Sequence, residues 1–255
     1  MIPKVTHQIW FQGWDKLPFK YRSCTEKLRE LNPGWTHMKW DEKLLRLECE
    51  KIGVQDKFDG FTDMIQKIDF GRYVVLCNYG GVSVDCDVEP LRPLEKIPGL
   101  DRYDLIVSKN PLNKIENILT TNGLARDLVV VNNATVCCSQ GHQIMRRLID
   151  FLVANESWNE DRLVDTQLKT GPLILSVFFK QFLDDILVLD SDIFEPFGNV
   201  NSRTVLNHLY DQSWTGLGSA PIKVYKCIKN NLVWALVVVL VVIAFFATKW
   251  FLRQK

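Results

Sequence analysis

Residues 61–90, FTDMIQKIDFGRYVVLCNYGGVSVDCDVEP, constrain the fold more than any other stretch. Ile65, Ile68 and Val75 recur at helical spacing, and Gly80-Gly81 supplies the stop. The pattern then changes to a period of two. Val82, Val84, Cys86 and Val88 alternate with Ser83, Asp85 and Asp87, which predicts a strand with its apolar residues on one face and its acids on the other. The acids fall at the carboxyl end of that strand, the end at which open α/β sheets bind ligands. Like charges crowded on one face repel, so a cation is expected between them.

The rest of residues 1–215 alternates in the same manner. KVTHQIWF, WTHMKW, YDLIVSK, LVVVNNATVCC and DILVLD read as strands. YRSCTEKLRELNP, DEKLLRLECEKIG, GHQIMRRLIDFLVAN and TGPLILSVFFKQFL read as helices, with an Asp41 start and a Gly53 stop for the second of them. This order predicts one α/β domain with a mostly parallel sheet covered on both faces. With 255 residues, 47% of them hydrophobic, the chain can bury a core of that size.

Two close carboxylates suit a hard divalent cation. An EF-hand is excluded, because counting from Asp85 the sixth residue is Pro90 rather than Gly and the twelfth is Lys96 rather than Glu. Mn²⁺ or Mg²⁺ shared with substrate phosphates fits better, since Mg²⁺ takes few protein carboxylates. Taken alone, D-x-D also fits a solvated turn after a strand. Upstream, Asp69 and Arg72 stand three apart on the preceding helix and share a face. Alone they would read as a surface ion pair. The helix runs directly into the acidic strand, which can bring the pair to the same sheet end.

The segments IPKVTHQIW, NPGWTHMKWDE, IDFGRYVVLCNYGGVSVDCDVEPL, TGP and NHLYDQSW occur in that order. In them the chain resembles the glycosyltransferases whose sugar-binding region contains a DXD motif, the group of yeast-type α-1,6-mannosyltransferases and inositol-phosphoceramide mannosyltransferases. Large clostridial glucosylating toxins share that core. The block D-x-x-R…Y-G-G-x-x-x-D-x-D is the specific part. The resemblance implies a GT-A-like nucleotide-sugar-binding fold. It also implies retaining transfer of a hexose, of mannose, glucose or galactose type, from a UDP- or GDP-sugar to a glycan or lipid acceptor. By the same resemblance Asp85 and Asp87 hold Mn²⁺ or Mg²⁺ on the diphosphate, Asp69 and Arg72 contact the donor sugar, and these four form the catalytic set. Trp10 packs on the nucleotide base, and Asn132 and Asn133 supply polar sugar contacts. His208, Ser213 and Trp214 lie in a segment that closes over the donor, His208 completing the metal shell. Ile68 stands where the family often has a small Ser or Ala.

Two other readings share these features. A tail-anchored scaffold protein would keep the fold without catalysis, against which the intact Asp69, Arg72, Asp85 and Asp87 argue. A metal-dependent phosphohydrolase also clusters acids, but commonly with more acids or histidines than the four scattered histidines here. A net charge of +1 with no basic stripe argues against a nucleic-acid partner. Seven scattered cysteines without a CxxC pair read as buried thiols rather than as a zinc site or disulfide framework.

Leu232 to Ala247, LVWALVVVLVVIAFFA, carries no charge, is flanked by lysines and has Trp234 and Trp250 near its two ends. With Trp250 to Leu252 and a snorkelling Lys249 it is long enough for a hydrocarbon core of about 30 Å. The chain therefore divides into a catalytic domain at 1–215, a linker at 216–230, a single transmembrane helix at 231–250 and a basic tail at 251–255. MIPKVTHQIWF shows no secretory signal, which together with unpaired cysteines predicts a cytosolic catalytic domain. The resemblance implies the secretory lumen instead, where fungal members of the family work.

Overall fold

The computed structural model describes residues 1–112, 126–155 and 162–211. Its strands are β1 (Val5–Ile9), β2 (Thr36–Trp40), β3 (Gly81–Val84), β4 (Val88–Pro90), β5 (Leu105–Lys109), β6 (Val131–Cys138), β7 (Leu187–Leu189) and β8 (Leu206–His208). The helices are α1 (Phe19–Leu31), α2 (Glu42–Lys51), α3 (Gln55–Gly60), α4 (Met64–Tyr79), α5 (Gln143–Ala154), α6 (Arg162–Lys169) and α7 (Pro172–Phe179). Every segment of residues 1–211 read from the sequence as a strand or helix has a counterpart. The short elements α3, β4 and β8 were not anticipated, nor was α6.

Six strands form one sheet in the order β2-β1-β3-β6-β5-β7. β1 pairs in parallel with β2 and β3, and β5 with β7. β6 is antiparallel to both its neighbours, β3 and β5, and joins the two halves. The sheet is thus mostly parallel, as expected. β4 and β8 make a separate antiparallel ribbon. Strand alternation sends side chains to two apolar layers. Val136 and Val107 join Leu45, Phe70 and Met145 on one face. Val82, Val84 and Ile106 join Leu28, Trp35 and Phe194 on the other.

α4 departs from its expected amphipathic form. Ile65 and Ile68 are only half-buried, while every residue from Asp69 to Cys77 is buried. The helix packs against α2, α5 and β1, so it is covered nearly all round. Asp63 caps its first turn, accepting from Ile65 N at 3.0 Å. At its other end Gly80 and Gly81 both have positive φ, 63° and 100°. A Cβ on Gly81 would lie 2.3 Å from Val5 O, so only glycine lets the chain turn against β1 here.

β3 ends at Val84, earlier than the alternation suggested. Asp85 to Asp87 form a turn closed by Val88 N donating to Asp85 O at 3.1 Å, and β4 follows in the other sheet. The two acids therefore converge through a turn rather than through the pleat of one strand.

The described residues of Met1–Leu209 form one unit. Among the described residues no helix is long and apolar enough to cross a membrane. The linker, the span at 231–250 and the basic tail lie outside the described residues. The six described cysteines are free and buried.

Candidate active site

The carboxyl ends of β1 and β3 lie beside the start of antiparallel β6, and the charged residues meet there. β6 leaves its register with β5 at this end: Ser108 opposes Asn132 whereas Ile106 opposes Cys137. The extra residues form a bulge, a device that re-aims side chains at sheet edges. Asn132 Oδ1 accepts from the backbone N–H groups of Asn133 and Ala134, at 2.7 and 3.2 Å, and holds the bulge in shape.

Arg72, 2% exposed, reaches the bulge from α4. One terminal nitrogen donates to Asn133 O. The other lies 2.6 Å from Asp85 Oδ1 and 3.7 Å from Asp69 Oδ1. Its Nε has no hydrogen-bond partner among the described residues. Asp69 accepts from Asn133 Nδ2 at 2.9 Å and from Thr170 Oγ1 at 3.5 Å. Tyr73 donates to Thr170 O and accepts from Asn133, tying α4 to the start of α7. In the TGP segment Thr170 meets the acid, Gly171 is the N-cap and Pro172 opens α7.

Removal from water pushes Asp69 up to about 7, against the pull of Arg72. Burial likewise raises Asp85, again opposed by Arg72. One guanidinium thus serves two carboxylates, and the side chain of Asp85 remains 32% exposed.

The ribbon β4–β8 places the third part. Val88 pairs with His208, and Leu209 N donates to Asp87 O at 3.0 Å. His208 Nε2 then lies 3.5 Å from Asp87 Oδ2. One ligand atom each from Asp85, Asp87 and His208 fall within 4.8 Å of one another. Burial works against a charge on His208, but Asp87, and after it Glu195 and Asp85, push its imidazole up to about 9. Two carboxylate oxygens and one imidazole nitrogen at this spacing suit Mn²⁺ or Mg²⁺ with positions left for phosphate oxygens.

Trp10 follows β1 and is half-buried, edge-to-face with Tyr21 at 5.8 Å. It packs on the cluster of Leu17, Tyr21 and Cys86, and Cys86 is the residue between the two acids of the turn. The structure therefore gathers Trp10, Asp69, Arg72, Asp85, Asp87, Asn133 and His208 at one sheet end. Asn132 is there too, with its side chain committed to the bulge. Ser213 and Trp214 lie outside the described residues. Sequence reasoning missed Thr170, Tyr73 and Glu195. The TGP segment was visible, but nothing in the local pattern around Tyr73 or Glu195 marks either of them.

Residues 18–104 match the family described as "Glycosyltransferase sugar-binding region containing DXD motif". That span holds Asp69, Arg72, Asp85 and Asp87. Residues 18–104 carry the sugar-binding region of a DXD-type glycosyltransferase. The glycosyltransferase is 27% identical over 188 residues to the uncharacterized glycosyltransferase L373 of Acanthamoeba polyphaga mimivirus, covering 66% of this chain and 72% of that protein. It is 25% identical over 239 residues to inositol phosphoceramide mannosyltransferase 1 of Schizosaccharomyces pombe, covering 90% of this chain and 66% of the relative. With mannosyl phosphorylinositol ceramide synthase SUR1 of Saccharomyces cerevisiae it shares 24% identity over 71% of its own length and 43% of the relative's. Mouse xyloside xylosyltransferase 1 superposes with a TM-score of 0.50 at 10% identity, covering 82% of this chain and 98% of that one, which shows the shared GT-A-like fold.

Proposed function

We propose that this glycosyltransferase is a metal-dependent, retaining hexosyltransferase that takes its sugar from a UDP- or GDP-hexose. The convergence of Asp85, Asp87 and His208 beside the Asp69–Arg72 pair carries this reading. Asp85, Asp87 and His208 would hold Mn²⁺ or Mg²⁺, which when bound offsets the charge that grows on a leaving diphosphate. Arg72 adds a fixed positive charge to the same end of the site, beside Asp85 and Asp69. Asp69 and Asn133 hold sugar hydroxyls, and Trp10 faces the base. Mannose transfer to an inositol-phosphate lipid is the acceptor chemistry named in the fungal relatives, and a lipid acceptor accords with the uncharged apolar run in the sequence from Leu232 to Ala247.

Asp87→Asn tests the metal. Turnover of each UDP- and GDP-hexose should fall by about a hundredfold or more, the scale of losing one preorganised electrostatic contact. Thermal stability without metal should stay near wild type, because relief of the repulsion with Asp85 is offset by loss of the contact between Asp87 and His208. Wild-type turnover in Asp87→Asn, or in excess EDTA, refutes the metal role.

A further inference from the structure

Glu195 is 1% exposed and lies in the turn before the loop leading to β8. Its backbone N–H donates to Ser191 O at 2.6 Å, and its Oε2 accepts from Asn132 Nδ2. A buried carboxylate is costly to maintain, and a carboxamide or an apolar residue would fill the same volume more cheaply. Its neighbours on either side suggest what the charge is for.

On one side Glu195 anchors Asn132, whose oxygen fixes the β6 bulge. The bulge then serves the charged residues directly. Asn133 O receives Arg72, Asn133 Nδ2 reaches Asp69, and Ala134 O accepts from Asp85 N at 2.9 Å. On the other side the preceding residues seat the strand that bears His208. Phe194 O accepts from His208 N at 3.3 Å, and Ile193 O accepts from Val205 N and Leu206 N at 2.9 and 3.1 Å.

We infer that Glu195 is a positioning residue that ties the donor-sugar half of the site, built on the β6 bulge, to the metal half, built on the turn of Asp85 and Asp87 and on β8. This rests on the assignment of Asp85, Asp87 and His208 as metal ligands. The hydrogen bond to Asn132 fixes the distance between the halves, and the negative charge favours a cation beside His208. Supporting groups of this kind typically change metal affinity or activity about 10–100-fold when removed.

The two contributions separate by substitution in the purified full chain. Glu195→Gln keeps an acceptor for Asn132 and removes the charge. It should weaken Mn²⁺ binding, read by electron paramagnetic resonance without donor, by about tenfold, while kcat at saturating metal stays near wild type. Glu195→Ala removes both and should also lower kcat about 10–100-fold. Wild-type Mn²⁺ affinity in Glu195→Gln overturns the inference, as does a kcat as low in Gln as in Ala. Melting temperatures that fall in both variants with kcat and Mn²⁺ affinity unchanged mean that Glu195 only stabilises the fold, which also overturns it. Should the Ala variant fail to fold, the Mn²⁺ titration of the Gln variant decides. A wild-type chain that binds no Mn²⁺ refutes the underlying metal assignment instead, so the two failures are distinguishable.

Discussion

Helix α4 serves two polar clusters, and they are built on opposite plans. At its C-terminal end Glu48, 5% exposed, accepts from Lys51 and Tyr79 on one oxygen and from Asn78 on the other, at 2.6, 2.9 and 3.0 Å. Beside it His7 donates through Nε2 to Gly80 O at 2.7 Å and accepts through Nδ1 from Trp40 at 3.1 Å. These groups are matched internally. Midway along the same helix two acids share Arg72, whose Nε has no partner among the described residues, and Asp85 opens toward solvent. A satisfied network fixes a fold, whereas a network short of partners at a sheet end is arranged for a ligand. On a single helix, one cluster is matched internally and the other keeps a donor without a partner among the described residues.

The contrast breaks most sharply by removing one cation from each cluster. Arg72→Met strands Asp69 in the interior and should cost about 3–5 kcal/mol by urea unfolding, the usual penalty for leaving a buried charge without its partner. Lys51→Met removes a lysine whose side chain is 57% exposed. It should cost far less, since solvent screens an exposed pair. Equal losses would erase the distinction.

Protons sharpen it, because the two clusters respond with opposite sign. Burial lowers His7 to about 4. Its folded value lies below the unfolded value near 6.5, so protons favour the unfolded chain. The stability it contributes is full above pH 6.5 and is lost as pH falls toward 4, by up to about 3 kcal/mol. An NMR titration placing His7 near 6.5 would remove this difference.

Asp69 runs the other way. Its folded value of about 7 lies above the unfolded one, so ionisation favours the unfolded chain. The penalty grows as pH rises from about 4 and levels off above 7. Asp69→Asn should therefore gain about 1–3 kcal/mol at pH 7.5, gain less at pH 5, and lose sugar transfer. A variant less stable than wild type at both pH values would show that the acid belongs to the structural class.

The sequence exposed much of this arrangement, through particular residues. The spacing of Asp69 and Arg72, Asp85 and Asp87, and the glycine pair that turns α4 into β3 were all legible because each is a local relation. The turn at Asp85–Asp87 was misread as strand, since a tight turn can preserve the alternation of a pleat. α4 was misread as amphipathic because burial on its outer side comes from α2 and α5, which are distant in sequence. Glu195 and Tyr73 were invisible for the same reason. Their partners, Asn132 and Thr170, become neighbours only when β6 and α7 are in place.

The antiparallel β6 has a consequence for how the enzyme matures. Among the described residues it is the sole bridge in the sheet between β3 on one side and β5 and β7 on the other. A ribosome-bound chain can therefore assemble β1, β2 and β3 with α4 early and still lack the Asn133 that holds Asp69. Because pairings of high sequence separation close late, this strand is expected to insert near the end of folding, and His208 to arrive later still in synthesis. Asp69, Arg72, Asp85 and Asp87 would by then be present without competent geometry. Catalytic competence would thus appear only with the long-range closure of the sheet, so that a nascent or half-folded chain cannot turn over a donor prematurely.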